Sequence, residues 1–188
     1  VLSLSSRKAL SAIWADCARG VRQQIEAVML EASQAGLADS AEHLLYVIRG
    51  STPATQYRIK AEGLVAKAYV ETTNRNGEPQ LHTHMVGSTA VRGVDGKWSR
   101  VYSRALYGEA RTAAAKSHAV FRALTREQLG WEWEPVDIGR GTAEVAGISP
   151  ERIASLSTRT KEIDVKLAEV VALETAVWGE APSDAAIR

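Results

Sequence analysis

A single cysteine, Cys17, is all the chain contains, so an intramolecular disulfide is excluded. Cys17 falls within a helical pattern, where a free thiol serves as a small buried side chain. Long apolar runs are also missing: none approaches the roughly 18 residues that a membrane span needs. No signal-peptide pattern opens the chain, and a cytoplasmic protein is the expectation. An excess of one charge is lacking too. With 23 Lys and Arg against 22 Asp and Glu, the formal net charge is +1. Overall basicity therefore gives no argument for nucleic acid, and any contact with DNA must rest on local groups. A phosphate-cradling glycine loop of the P-loop kind is absent, which argues against a nucleotide-dependent enzyme. Internal repeats, low-complexity tracts and domain linkers are absent as well.

What is present fits one globular domain with a core of its own: 188 residues, 45% hydrophobic and 24% charged. The chain starts at Val1 without a methionine, and its first residues already read as a strand. A piece of a longer protein is expected, with 1–188 forming one domain and 179–188 a frayed tail.

The periodicity predicts an α+β fold, an antiparallel sheet with long helices packed on it. Val1 to Ser5 reads as a strand. A helix is expected from Arg7, capped by Ser5 or Ser6, with Leu10, Ile13, Trp14, Cys17, Val21, Ile25, Val28 and Met29 on its buried stripe and Gly36 as its stop. Residues 40–48 are ambiguous between helix and strand. From Gly63 to Thr73 the pattern alternates. Leu64, Ala66, Ala68 and Val70 share one face, and Lys67, Tyr69, Glu71 and Thr73 the other. A turn at Asn76-Gly77 leads into a second strand expected over Leu81 to Arg92, and Asp95-Gly96 marks another tight turn. Glu109 to Leu129 is a second long helix with an alanine-rich face, ended by Gly130. Residues 131–137 and 142–146 form an expected hairpin, Pro150 opens a short helix, and a longer one runs from about Ser157 to Trp178.

Alternation also places a site. His82 and His84 are two apart on a strand and project from one face. If the chain folds back at Asn76-Gly77, Glu71 lies opposite His82 and points to the same side. Two imidazoles and a carboxylate then converge, a three-donor set with open positions of the kind a catalytic metal uses.

The segment Glu78-Pro79-Gln80-Leu81-His82-Thr83-His84 resembles the motif that carries two of three histidine ligands in conjugative relaxases of the TraI/TrwC (MobF) kind, which belong to the HUH endonucleases. Asp95-Gly96-Lys97-Trp98, Ser103-Arg104-Ala105-Leu106-Tyr107, Gly130-Trp131-Glu132-Trp133, Glu144-Val145-Ala146-Gly147-Ile148 and Leu156-Ser157-Thr158-Arg159 resemble further family segments, in the same order. Leu2-Ser3-Leu4-Ser5-Ser6-Arg7-Lys8-Ala9-Leu10-Ser11 is similar to the family's early strand-and-helix motif.

The resemblance implies metal-dependent nicking and rejoining of single-stranded DNA at a plasmid transfer origin, through a phosphotyrosyl intermediate. It implies a divalent ion (Mn, Mg, Zn, Ni or Co) held by Glu71, His82 and His84, and a DNA phosphate held by Arg75. Further domains such as a helicase are implied in the parent protein. Glu71 stands where the family has its remaining histidine, and Val1 where it has an aspartate that orients a ligand. None of Tyr46, Tyr57, Tyr69, Tyr102 and Tyr107 matches the family's nucleophile. Two other functions stay open at this point: a degenerate relaxase-like module that binds DNA without cutting it, and a non-haem enzyme using the two-histidine, one-carboxylate set.

Overall fold

A computed structural model describes residues 2–139, 141–155 and 158–179. The chain divides into two compact units, one ending at Gly147 and the other beginning at Ile148. In the first unit the elements run β1 (Leu2–Ser5), α1 (Lys8–Asp16), α2 (Arg19–Leu44), β2 (Tyr46–Arg49), β3 (Tyr57–Lys60), β4 (Ala66–Thr73), β5 (Pro79–Gly87), β6 (Ala90–Arg92), β7 (Trp98–Arg100), α3 (Ser103–Gly108) and α4 (Ala110–Leu129). The second unit holds α5 (Pro150–Ser155) and α6 (Thr158–Trp178). The tail beyond Gly179 lies outside the described residues.

The α+β class holds, with every pairing antiparallel, but the sheet is divided. β5 sits between β1 and β4 in a three-stranded sheet, while β2–β3 and β6–β7 form two-stranded ribbons. The inward residues of β5 meet the helices: Leu81 packs in one cluster with Leu10 of α1, Ile25, Val28, Met29 and Ala32 of α2, and Phe121 of α4. Val70 of β4 packs against the same cluster. A smaller cluster of Leu45, Val47 and Val91 lies under the ribbons.

The first long helix differs from its expected form twice. It breaks at Cys17 and Ala18, whose backbones are extended, so one helix becomes two. Arg22 holds the break, donating from Nε to the Cys17 carbonyl at 2.9 Å while its guanidinium lies 5.1 Å from the Trp14 ring centre. Local side-chain bonding across the break outweighs a propensity that favours helix. The second difference is at Gly36, which continues α2 instead of ending it. A side chain there would lie 2.6 Å from the Ala113 carbonyl oxygen of α4 and collide with Ser117 Oγ. Gly36 is kept for the close approach of two helices, not for a stop.

Neither Ser5 nor Ser6 caps α1, because the N-cap position is Arg7, whose side chain makes no capping bond. Ser6 turns to β5 instead, donating Oγ to the Leu81 carbonyl at 2.7 Å, and Ser11 Oγ accepts the Leu81 N–H at 3.0 Å. β1 pairs with β5 only from Ser5↔His82 to Leu2↔Met85, so the peptide of Leu81 lies just past its end and takes these serines as partners. The strand expected over Leu81 to Arg92 is also divided, at Gly87. Ser88 bonds Val65 and Ala90, and β6 leaves the sheet to pair with β7. At the end of α4, Gly130 adopts the left-handed conformation expected of it, at φ +65°. The hairpin expected over 131–146 is reduced to isolated bridges, Trp133↔Val145 and Asp137↔Thr142. Arg140 in its turn is outside the described residues.

Thr83, between the two histidines, points inward. It is fully buried, and its hydroxyl has no hydrogen-bond partner among the described residues. Valine keeps the shape and removes an unsatisfied oxygen, so Thr83→Val is expected to raise unfolding free energy by about 1 kcal/mol. Equilibrium denaturation measures it; a destabilised variant would show that the hydroxyl has a partner in solution.

Candidate metal centre

The site is made by a strand, a turn and a returning strand. Asn74 builds the turn: its Oδ1 accepts the N–H groups of Asn76 at 2.9 Å and Glu78 at 3.0 Å. Its Nδ2 donates to Glu78 Oε2 at 2.7 Å. Gly77, at φ +74°, supplies the backbone conformation that lets the chain reverse. β4 and β5 then pair in a register that sets Glu71 against His82 and Tyr69 against His84, while Val70 and Thr83 face the helices. The register shifts after Glu71, before Thr73 meets Pro79.

Glu71 Oε2 lies 3.2 Å from His82 Nε2 and 3.3 Å from His84 Nε2. The two rings meet edge to face, with centroids 4.8 Å apart. One donor atom from each of the three residues lies within 4.8 Å of the others. Atoms bound at 2.0–2.2 Å to one ion stand about 3–3.5 Å apart, and both Glu71–histidine separations fall in that range. The imidazoles are the more buried members and Glu71 the more exposed one.

His82 Nδ1 lies 2.9 Å from the Gln80 carbonyl oxygen. A ring donating there carries its proton on Nδ1 and turns an Nε2 lone pair towards Glu71 and His84, the tautomer that ligates. This backbone acceptor was not visible in the sequence, since no side chain announces it. The remaining histidines take no part. His43 Nδ1 is 2.8 Å from the Asp39 carbonyl oxygen, and His118 stands on α4, where burial, with Arg122 and Arg7 adding to it, pushes its imidazole below its usual range.

Arg75 is exposed in the turn between the two strands and forms no ion pair among the described residues. Among the tyrosines, Tyr69 shares the face of the site, with its ring centroid 5.5 Å from that of His84. Tyr46 and Tyr102 lie instead beneath Lys60 and Arg58, at 5.0 and 4.9 Å. Trp133 packs edge-on against Phe121 and donates Nε1 to Thr125 Oγ1 at 3.2 Å, which makes it part of the helix packing; Trp98 is 70% exposed.

An antiparallel sheet with a His-Thr-His strand at its centre, helices on one face and the histidines on the other, has the architecture of a relaxase. The TrwC relaxase family model matches residues 2–187, and the chain belongs to that family. Solved structures agree on the fold. One of conjugative relaxase TrwC in complex with mutant OriT DNA superposes with a TM-score of 0.69 at 23% identity, covering 88% of this chain and 56% of that one. A metal-bound structure of TrwC with OriT DNA gives 0.69 at 23% identity, covering 89% and 55%. A metal-free structure gives 0.66 at 23% identity, covering 96% and 58%. The chain thus spans a little over half the length of the solved relaxases it matches. No curated protein matches it.

Proposed function

We propose that this chain is the metal-binding part of a conjugative relaxase that nicks and rejoins single-stranded DNA at a plasmid transfer origin. The observation that carries this is the convergence of Glu71, His82 and His84 on the open face of the sheet, in a chain of the TrwC relaxase family. Similar relaxases have been solved with OriT DNA and with bound metal, which supports the same partner and a divalent ion here. On this reading the protein acts in the cytoplasm and is joined to further domains such as a helicase. Among the described residues, no helix is long and apolar enough to cross a membrane.

His82 and His84 would hold the ion through Nε2, and Glu71 through a carboxylate oxygen. A divalent ion in that place supplies Lewis acidity to a phosphate oxygen. The residues themselves do the positioning. The Gln80 carbonyl fixes the His82 ring, the Asn74 turn brings Glu71 into register, and Arg75 offers a planar guanidinium to a neighbouring phosphate. The attacking tyrosine of such a reaction is not among the motif positions matched here.

Mn, Zn, Ni or Co should bind more tightly than Mg, because imidazole suits transition metals and Mg prefers oxygen and water. Calorimetric titration decides this, and tighter Mg than Mn binding would contradict the assignment. Incubated with labelled oligonucleotides from a cognate origin, the chain should show weak, salt-sensitive binding, given a net charge of only +1. No covalent adduct should form, because without a positioned nucleophile the effective concentration that drives the step is missing. An adduct on denaturing gels would show that a tyrosine of this chain replaces the family's own.

A further inference from the structure

Beyond the three ligands, the outward face of β4 carries two residues in line with the site. Its exposure alternates along the strand, with Lys67, Tyr69 and Glu71 all outward. Lys67 pairs across with Val86, Tyr69 with His84 and Glu71 with His82. Tyr69 is 40% exposed, and its ring tilts 33° to that of His84. Lys67 is exposed and forms no ion pair among the described residues. The face therefore runs from a cation through an aromatic platform to the imidazole–carboxylate cluster.

We propose that Lys67 and Tyr69 extend the Glu71–His82–His84 site into a nucleotide track, with Tyr69 stacking on one base of a single strand and Lys67 neutralising a phosphate further along it. This rests on the function proposed above. Same-face residues of a strand recur about every 6.8 Å, so Lys67 and Glu71 stand roughly 14 Å apart along β4. Stacked nucleotides rise only about 3.4 Å each. About four stacked nucleotides would cover that distance; the track takes a strand drawn out to two or three, whose unstacked base has a free face where Tyr69 stands. An aromatic ring accepts any base in that way, because every base has a π face. A duplex, its bases stacked inward, presents no such face.

The test is fluorescence anisotropy of a short, labelled single-stranded oligonucleotide of mixed sequence at low salt, with Mn2+ and again with chelator. Tyr69→Ala is expected to weaken binding about tenfold. Tyr69→Phe should bind like the parent, since the ring suffices. Lys67→Ala should reduce the slope of log affinity against log salt by about 0.7, the share of one phosphate contact on a single strand. On an abasic oligonucleotide of equal length, Tyr69→Ala should cause no further loss. The track is overturned if Tyr69→Ala binds like the parent, if it weakens the abasic strand equally, or if Tyr69→Phe is as weak as Tyr69→Ala. Parallel Mn2+ titration separates the two ideas. A parent that binds no Mn2+ removes the metal assignment, while the variants' effects on strand binding in chelator still decide the track. A parent that binds no strand removes the track.

Discussion

Replacing His82 with alanine is expected to lower Mn2+ affinity more than 100-fold, measured by calorimetry against the parent chain. The imidazole is the best-held of the three donors, with its Nδ1 on the Gln80 carbonyl and its Nε2 3.2 Å from Glu71 Oε2. Changes to groups that merely orient a ligand cost roughly 10–100-fold, and loss of the ligand itself should exceed that. The β4–β5 pairing uses the backbone and should survive the change. Retained Mn2+ affinity would place the ion elsewhere. Glu71→His supplies the companion result. It replaces a carboxylate by a neutral ring and leaves the site about one unit more positive, so a phosphate held at the loaded site should bind more tightly. Unchanged or weaker phosphate binding would refute the electrostatic argument.

Leu81→Ala is expected to destabilise the first unit by about 2–5 kcal/mol, the range found when a fully buried leucine is truncated. Leu81 has 0% exposure and touches the cluster to which α1, α2 and α4 all contribute. The Ser6 and Ser11 bonds grip its peptide and limit how far β5 can shift to fill the hole. Chemical denaturation reads the change directly; a loss under about 1 kcal/mol would mean that the helices close over the gap.

The features legible beforehand were those governed by short-range rules. Alternation along 66–73 and 79–87, joined by an Asn-Gly turn, is enough to set Glu71 beside His82, because a two-residue period leaves few alternatives. The ordered motifs carried the family and with it the α+β architecture. What escaped depends on the meeting of distant segments. The break at Cys17-Ala18 is a local exception: Arg22, only five residues on, binds the freed carbonyl, and no change in the apolar periodicity announces it. Gly36 looks like a helix terminator until Ser117 is seen across from it. Ser6 has the composition of a cap, yet its hydroxyl serves a strand 75 residues away. Gln80 offered no signal at all, since it acts through its main chain.

The central place of β5 has a consequence in time. Flanked by β1 and β4, it is the one strand of its sheet with neighbours along both edges, while those two are edge strands among the described residues. An amide in such a strand exchanges its hydrogen with solvent mainly when the whole unit opens, whereas edge amides exchange through smaller excursions. His82 and His84 thus ride on the last segment to loosen. In deuterated buffer their amides should be among the slowest to exchange, and the histidine pair should keep its place through local fluctuations until the unit opens as a whole, while Glu71, on an edge strand, can part from it earlier.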